Sequence, residues 1–258
     1  KRENANIDGD TAMGTMLKYG SEGAKQFYEM FILDPEHARA HREGDIHIHD
    51  LDFLTLTTTC CQIDLLKLFQ GGFSTGHGFL REPNDIRSYS ALACIALQSN
   101  QNDQHGGQSI PNFDYSMAPG VKKTFRRAFT DNLTKAIEIY LEQEDGELLS
   151  KSIVKNAERE TGEIAVFADG NGFDEAVERL LCDHTDERTA AKIMRFTRKY
   201  AVKETRRNTY QAMEALVHNL NTMHSRAGAQ VPFTSLNYGT DTSPEGRLVM
   251  ECLMKATE

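Results

Sequence analysis

Three features are missing from this 258-residue chain: a surplus of basic residues, a long apolar run and a set of paired cysteines. The formal net charge of -9 argues against a sequence-independent grip on nucleic acid, which needs a basic surface. A single nucleotide would need only one local pocket. No apolar stretch is long enough to span a bilayer, and the N-terminus has no signal-peptide core. We therefore expect neither a nucleic-acid nor a membrane partner.

The cysteines do not resemble a disulfide framework, because their number is odd and their positions are scattered. They are Cys60, Cys61, Cys94, Cys182 and Cys252. This usage favours a reducing cytoplasm. With 39% hydrophobic and 26% charged residues, the composition is typical of a globular protein with one large domain, or at most two. Neither chain end resembles a natural terminus, so we expect a fragment of a longer protein.

The adjacent pair Cys60-Cys61 is the most informative feature that is present. It ends a run of apolar and hydroxyl residues, 54–59, that is typical of a strand. Side chains alternate across a strand, so one thiol can face a cavity while its neighbour packs on the other side. That arrangement favours chemistry over crosslinking. The alternative is two buried cysteines that act as small hydrophobic residues.

The remaining pattern predicts long helices that separate short strands. We expect helices over 22–33, 35–42, 64–69, 86–98, 121–143, 175–183 and 187–226, and strands over 46–49, 54–60, 110–115 and 231–237. Residues 99–108 are expected to form a loop, and 144–174 a mobile insertion. A capping box that starts at Thr242 should open the last helix. Strands separated by helices indicate an α/β fold with parallel strands.

Histidines precede the cysteine pair in the sequence His47-Ile48-His49-Asp50. Histidines at alternate positions of a strand share one face and could bind a metal together with a cysteine. The spacing to Cys60 matches no standard zinc pattern, however. We prefer the alternative, in which a His–Asp hydrogen bond fixes the loop that enters the next strand.

Two polar segments could contact a ligand. Residues 100–109 combine amide side chains with Gly106 and Gly107, which would let a backbone approach a base or phosphate closely. This run lacks the lysine and glycine spacing of a phosphate loop, and a polar surface turn would have the same composition. Residues 234–240 lead from a strand to a helix N-terminus, a natural place for an anion. An ordinary capped turn is the alternative there.

Five blocks, in order, resemble the catalytic chain of anaerobic (class III) ribonucleoside-triphosphate reductases, which are glycyl-radical enzymes. They are ENAN at 3–6, HARAHREGDIHIHDLDF at 37–53, TCCQIDL at 59–65, SNQNDQHGGQSIPNFD at 99–114 and VPFTSLNYGTDTS at 231–243. Each block is weak alone, but the ordered set is specific. Together they are spread along the chain on both sides of residues 144–226.

The resemblance implies a ten-stranded α/β barrel of which residues 1–258 would supply most of the first half, surrounded by long helices. The regulatory ATP-cone and the second half-barrel would lie outside it. That second half would carry the thiyl cysteine, the zinc site and the glycyl radical, so no metal ligand is assigned here. Implied partners are a ribonucleoside triphosphate substrate, dNTP or ATP effectors, a radical-SAM iron–sulfur activating enzyme and a second copy of the chain. The implied reductant is formate or a thioredoxin-like protein.

The resemblance also assigns roles to residues. Cys60, placed by Ile63-Asp64-Leu65, would be the redox thiol that faces the ribose, while Cys61 turns away from the substrate. The expected substrate contacts are Asn4, Asn6, Thr59, Ser235 and Asn237. The effector-reading part of a specificity loop would be Gln104, His105, Gly106 and Gly107, with the helix 86–98 near a dimer interface. His49 and Asp50 stay structural.

The resemblance implies reduction of ribonucleoside triphosphates to deoxyribonucleoside triphosphates, for DNA synthesis without oxygen. Without the thiyl and glycyl residues, the 258-residue chain alone should be inactive. The alternatives are a nucleotide-binding regulatory module and a Cys/His metal-binding protein. Glycyl-radical acyl-lyases share the barrel, but the polar Gly-rich run has no evident purpose in them.

Overall fold

A computed structural model describes residues 11–57, 59–76, 78–143, 145–168, 172–224 and 233–258. The expected substrate residues Asn4 and Asn6 lie outside these ranges. In chain order the elements are α1 (Ala12–Phe27), a π-helical turn (Tyr28–Ile32), α2 (Pro35–Glu43), a 3₁₀ turn (Leu51–Phe53), β1 (Thr59–Gln62), α3 (Leu65–Phe69), β2 (Phe73–Ser74), β3 (Phe79–Leu80), α4 (Ile86–Asp103), β4 (His105–Ile110), α5 (Phe113–Leu141), α6 (Gly146–Thr161), α7 (Gly172–Cys182), α8 (Glu187–Thr222), β5 (Thr234–Leu236) and α9 (Pro244–Thr257).

Local signals fix several of the helix ends as expected. The Asp34 side chain caps α2 by accepting from the Glu36 amide, and Pro35 occupies the first turn. Gly44, at φ 84°, ends that helix in the left-handed region that suits glycine. Asp85 and Ser88 form a capping box at the start of α4. These ends follow from short-range hydrogen bonds, which is why the sequence predicts them.

The sheet has the parallel order β1-β4-β5, with β4 in the centre. A short antiparallel hairpin of β2 and β3 stands apart from it. Long helical crossovers connect the parallel strands, as parallel pairing requires. The expectation of an α/β fold with parallel strands is therefore confirmed, in a molecule that is mostly helical.

The core consists of two hydrophobic clusters. The first packs α4, α5, α8 and α9 against β4, and it includes Leu97, Ile110, Met117, Leu216 and Val249. The second lies between α5, α6, α7 and α8, and it includes Phe129, Ile153, Phe173, Leu181 and Ile193. The long helices α5 and α8 run through both clusters and join them. None of the described helices is long and apolar enough to cross a bilayer.

Several strand expectations were wrong in position. Residues 46–49 form no strand, and β1 starts at Thr59 rather than at residue 54. The segment 99–108, expected as a loop, holds the end of α4 and most of β4. The expected strand 110–115 contains only the last residue of β4, because α5 begins at Phe113. Glycines and amide residues have low strand propensity, and the pairing of β4 with β1 on one side and β5 on the other overrides it.

Helix expectations failed where the apolar pattern was weak. Helix α1 begins at Ala12, ahead of the expected residue 22. The segment 144–174 contains α6, whose Ile153 and Ala157 are buried, so residues 146–161 are a packed helix. Mobility of the segment stays a prediction. At α9 the cap is Ser243, whose hydroxyl accepts from the Gly246 amide, and the Thr242 cap was wrong by one residue.

Candidate active site

A groove of about 470 Å³ opens along the three parallel strands. Its lining comes from the cysteine pair and Gln62 on β1, from the middle of β4, and from the start of β5: Cys60, Cys61, Gln62, Gly107, Gln108, Ser109, Phe233, Thr234 and Ser235. Cys60 is exposed to solvent, whereas Cys61 is half-buried. The groove therefore presents one open thiol beside hydroxyl groups from two neighbouring strands.

A β-bulge places the Cys60 thiol. Thr59 pairs with His105 and Cys61 pairs with Gln108, so Cys60 faces two residues of β4 instead of one. Cys60 adopts φ 56°, in the left-handed region that a cysteine rarely enters. Gly106 opposite it has φ 89°, and a Cβ there would stand 3.0 Å from the Cys60 Sγ. Bulges of this kind re-aim a side chain beside functional sites.

Cys61 is held on the helix side of β1 by an amide relay. The Asn100 side-chain nitrogen donates to the Cys61 Sγ at 3.1 Å and to the Gln108 Oε1 at 2.7 Å. The Gln108 side-chain nitrogen in turn donates to the Leu97 carbonyl at 2.9 Å. Gln108 is buried, at 3% exposure. The relay ties the last turns of α4 to both β1 and β4.

Gly107 lets β5 approach β4. A Cβ on Gly107 would stand 2.9 Å from the Phe233 ring, closer than such contacts allow. The Gln108 amide donates to the Phe233 carbonyl at 3.1 Å, which starts the β4–β5 ladder. The two glycines thus have separate tasks, since Gly106 leaves room for the thiol and Gly107 leaves room for a strand.

His105 connects the groove to the polar segment before β1. Its Nε2 lies 3.2 Å from the Asp50 Oδ1, while the His49 Nε2 lies 3.3 Å from the Asp50 Oδ2. The Phe53 ring stacks on the His105 ring with centroids 4.0 Å apart. The His105 Nδ1 is buried and has no hydrogen-bond partner among the described residues. Asp50 thus contacts both His49 and His105 in the segment that precedes β1. That such contacts fix the segment, as preferred for His49 and Asp50, stays a prediction.

A metal site at the histidines would need further ligands. The rings of His47 and His49 lie 5.7 Å apart. Within the ranges that the structure describes, no three His, Cys, Asp or Glu side chains group as metal ligands do.

The turn after β5 is occupied by a carboxylate from α5. The Asp114 Oδ2 accepts from three consecutive amides, those of Gly239, Thr240 and Asp241, at 2.9 to 3.0 Å. Its Oδ1 accepts from the Tyr115 amide at 3.0 Å. Burial acts to raise the pKa of Asp114, but these amide hydrogen bonds outweigh it and hold the pKa below its usual value.

Little of the expected anion site remains free at the start of α9. Asp114 occupies the amides of residues 239–241, the Asp241 carboxylate accepts from the Ser243 amide, and the Ser243 hydroxyl accepts from the Gly246 amide. A Cβ on Gly246 would stand 2.3 Å from the Asp241 Oδ2, so only glycine fits. This turn matches the capped-turn alternative.

The other buried thiols are suited to packing rather than chemistry. Burial raises the pKa of Cys94, and burial raises the pKa of Cys252 to about 11. Both side chains lie in the first hydrophobic cluster. A thiol with so high a pKa is protonated at neutral pH, and the thiolate is the nucleophile.

A larger groove of about 820 Å³ lies between α5, α6 and residues 82–84, and it shares no lining residue with the cysteine groove. Four of its five basic side chains are ion-paired. The pairs are Lys123–Glu82, Arg126–Glu158, Arg127–Asp85 and Lys151–Glu147. Because these four basic side chains already pair with carboxylates, the larger volume of this groove does not by itself make it the functional site.

The structure brings together only part of the expected set. Cys60, Ser235 and Gly107 line the groove, and Thr59 and Gly106 adjoin the Cys60 bulge. Gln104 is buried at the end of α4, and Asn237 is exposed beyond β5. The sequence placed Asn100 and Gln108 within the polar segment 100–109 but gave neither a role of its own, and their hydrogen bonds hold the site together. The one available signal for Gln108 was its position two residues before Ile110, on the same face of a strand.

The parallel sheet and the open thiol in its groove define an α/β protein with a strand-borne cysteine site. A family model described as anaerobic ribonucleoside-triphosphate reductase matches residues 3–258, and the chain belongs to that family. It is 24% identical over 255 residues to the anaerobic ribonucleoside-triphosphate reductase of Escherichia coli (strain K12), covering 98% of this chain and 28% of that protein.

A phage relative gives the same result. The chain is 24% identical over 262 residues to the anaerobic ribonucleoside-triphosphate reductase of Enterobacteria phage T4, covering 98% of this chain and 32% of that protein. The chain thus spans less than a third of the length of these relatives.

Proposed function

We propose that this chain provides the first-half-barrel part of a catalytic site that reduces ribonucleoside triphosphates to deoxyribonucleoside triphosphates. The observation that carries the proposal is the exposed Cys60 thiol, aimed into the groove by a bulge over Gly106. Family membership supports the reaction class. The ten-stranded barrel belongs to the same proposal, with β1, β4 and β5 as its first strands.

In the proposed reaction the 2'-hydroxyl leaves the ribose as water, and Cys60 is the thiol that donates hydrogen to the sugar. The two electrons come from the proposed reductant, formate or a thioredoxin-like protein, which returns the Cys60 sulfur to a thiol. The exposed sulfur is free to reach a sugar in the groove, whereas the Cys61 sulfur is engaged by Asn100. A glycyl radical and the thiyl cysteine that it generates, both outside these 258 residues, would remove the 3'-hydrogen. The zinc site of the family is likewise proposed to lie outside them.

Substrate recognition is proposed for polar groups at the rim of the groove. Ser235 lines it directly, and Thr59 precedes the cysteine on β1. Asn237 lies just beyond β5 on a turn that Asp114 holds in place. Asn4 and Asn6 complete the proposed set. Hydroxyl and amide groups of this kind can pair with ribose hydroxyls and phosphate oxygens.

Effector control is proposed for Gln104, His105, Gly106 and Gly107. These residues form the junction between α4 and β4 rather than a loop, and Gly106 touches Cys60. A dNTP or ATP effector that shifts the end of α4 would move the bulge and the amide relay together. Such coupling needs a contiguous physical link, and the Asn100–Gln108 hydrogen bond is one.

The same proposal includes the partners of the parent enzyme. They are a radical-SAM iron–sulfur activating enzyme, a second copy of the chain near α4, and formate or a thioredoxin-like protein as reductant. The cytoplasm is the proposed compartment, because the five cysteines are free among the described residues.

The test uses a longer reductase polypeptide that contains this chain, activated under anaerobic conditions. Cys60→Ser should abolish deoxynucleotide formation, while Cys61→Ser should retain most of it. Cys182→Ser, at an exposed cysteine on α7, is the matched control and should be as active as the wild type. Full activity of the Cys60→Ser protein, or turnover by the 258-residue chain alone, would contradict the proposal.

A further inference from the structure

Two residues before and within β1 have strained backbone conformations. Among the described residues, three that are not glycine have φ in the left-handed region: Asp50 at 49°, Cys60 at 56° and Glu142 at 53°. Aspartate tolerates this region better than cysteine does, because its short polar side chain can bond locally. Strain of this kind persists only where the surrounding structure over-determines the conformation. The Cys60 conformation therefore needs contacts that hold it.

The β1–β4 ladder does not supply all of these contacts. Cys60 lies where the ladder is interrupted, just after the pair of Thr59 and His105. The amide relay holds the far side of the interruption, at Cys61. On the near side, His105 directly precedes Gly106, whose Cβ position lies 3.0 Å from the Cys60 sulfur. Whatever holds His105 therefore also sets the near side of the bulge.

Three contacts from the segment before β1 hold the start of β4. The Asp50 Oδ1 lies 3.2 Å from the His105 Nε2. The Phe53 ring stacks on the His105 ring, with centroids 4.0 Å apart and planes inclined by 16°. The Thr57 hydroxyl donates to the Asp103 carbonyl at 3.0 Å. The carboxylate thus holds the edge of the imidazole and the phenyl ring holds its face, which leaves the imidazole little freedom to turn.

We propose that Asp50 is a positioning residue for the Cys60 thiol. By holding His105, it keeps Gly106 in the left-handed conformation and so keeps the bulge that turns Cys60 into the groove. Asp50 does not line the groove itself, so it acts through the two residues of β4. The inference rests on the proposed function, because Cys60 is the thiol proposed to reduce the substrate.

The link between the carboxylate and the thiol is closed on itself. Along the chain, the residues that enter β1 connect Asp50 to Cys60. Across the sheet, His105 and Gly106 connect the same two residues through the contacts described above. A shift of either strand would therefore strain the other connection. Such a closed link is what a left-handed cysteine requires from its surroundings.

The two oxygens of the Asp50 carboxylate have different surroundings. Oδ2 lies 3.3 Å from the Nε2 of His49, whose side chain is 77% exposed. Oδ1 faces His105, and that pair is mostly buried, with 17% of the Asp50 side chain and 19% of the His105 side chain exposed. Solvent screens an exposed pair much more than a buried one. The His105 contact therefore carries the positioning role, and His49 provides a matched control.

The experiment measures how fast iodoacetamide alkylates each cysteine of the folded 258-residue chain, by peptide mass spectrometry. Asp50→Gly removes the carboxylate, and glycine adopts φ 49° without strain. The Cys60 rate should differ from that of the wild type by roughly threefold or more, because the rate follows the exposure and environment of the thiol. The rates of the buried Cys94 and Cys252 should not change.

Three further variants make the measurement specific. Phe53→Leu removes the stacked ring but keeps an apolar side chain, so it should change the Cys60 rate as Asp50→Gly does. Asp50→Asn keeps an oxygen beside His105 and tolerates left-handed φ, so its Cys60 rate should lie closer to that of the wild type. His49→Ala is the control and should leave the Cys60 rate unchanged.

A longer reductase polypeptide that contains this chain separates positioning from binding. There Asp50→Gly should lower kcat for deoxynucleotide formation roughly tenfold and leave KM within about twofold of the wild type. The reason is that a misplaced thiol slows the reaction without changing how the substrate binds. A raised KM with an unchanged kcat would assign Asp50 to substrate binding and contradict the proposal.

Three alkylation results would also overturn it. They are an unchanged Cys60 rate in both Asp50→Gly and Phe53→Leu, an equal change in His49→Ala, and a parallel rise of the Cys94 and Cys252 rates, which would mean that Asp50 only stabilises the fold. Failure of the proposed function would be distinct, since Cys60→Ser tests it through activity. If the Cys60→Ser protein kept full activity, the alkylation rates would still decide whether Asp50 positions the thiol.

Discussion

Gly106 lies against Cys60 so closely that a Cβ on the glycine would stand 3.0 Å from the thiol sulfur and 3.2 Å from the Cys60 backbone nitrogen. The contact joins the segment proposed to read the effector to the thiol proposed to reduce the substrate. A shift of β4 at Gly106 cannot leave Cys60 in place. The position of the thiol is therefore set by two strands, and not by the β1 sequence alone.

The first prediction concerns Gly106→Ala. The added methyl group must displace Cys60, and alanine is also strained at φ 89°. We expect a loss of about 2 kcal/mol in unfolding free energy, measured with denaturant, together with a changed alkylation rate of Cys60.

Gly76→Ala provides the matched control. Gly76 has φ 90°, nearly that of Gly106, but no atom of the described residues, chain neighbours aside, lies within 4 Å of its Cβ position. It should show only the backbone cost of about 1 kcal/mol, with Cys60 unaffected. Equal effects of the two substitutions on stability and on Cys60 would show that the contact does not matter.

The second prediction concerns Asn100→Ala. The substitution removes the side-chain amide that donates to the Cys61 sulfur and to the Oε1 of the buried Gln108 side chain. An unsatisfied buried acceptor costs about 1–3 kcal/mol, so denaturant unfolding should show a loss of that size. Cys61 should also become easier to alkylate. Gln98→Ala, at a half-buried position of the same helix, is the control, and a loss as large as that of Asn100→Ala would count against the relay.

The third prediction concerns Asp114→Asn. The buried Asp114 carboxylate accepts hydrogen bonds from four backbone amides. The neutral side chain of asparagine has one acceptor oxygen and cannot accept all four of these bonds. We expect a loss of about 2–4 kcal/mol in unfolding free energy. Asp45→Asn, in an exposed turn, should stay within about 0.5 kcal/mol of the wild type.

The pH dependence of Asp114 has a definite sign. Its folded-state pKa is lowered, so the folded protein binds the proton less readily than the unfolded chain. Its contribution to stability is complete above the unfolded pKa of about 3.9 and is lost as the pH falls through the folded value. The difference in unfolding free energy between the wild type and Asp114→Asn, measured from pH 6 downwards, should therefore shrink as the pH falls below about 3.9. A constant difference at all pH values would contradict this account.

The sequence predicts those parts of the fold that depend on local signals. Asp34, Pro35 and Gly44 bound α2 through hydrogen bonds and backbone preferences that act over a few residues. The parallel sheet follows from strands separated by long helices. The central strand β4 was not predicted as a strand, because its glycines and amide side chains pair only when β1 and β5 lie on either side.

In the candidate site, too, the local sequence and the contacts between distant residues determine different features. The choice of Cys60 over Cys61 comes from the resemblance of residues 59–65 to the family, and the sequence does not show that Cys60 is the more exposed of the two. The bulge at Cys60 does not follow from the local sequence, since it arises from one extra residue on β4. Nor does the Asn100–Cys61 hydrogen bond, which joins residues 39 positions apart. Strict alternation of side chains along β1 predicted that Cys61 would face away from the groove. Both cysteines line the groove. They differ in that the Cys61 sulfur accepts a hydrogen bond from Asn100.

The most direct test compares Cys60 and Cys61 in the folded 258-residue chain. Brief alkylation with iodoacetamide, followed by peptide mass spectrometry, gives both rates in one sample. We predict that Cys60 reacts about tenfold faster or more, since it is exposed and Cys61 is half-buried and bonded to Asn100. Equal rates, or a faster reaction at Cys61, would contradict the assignment of the groove-facing thiol to Cys60.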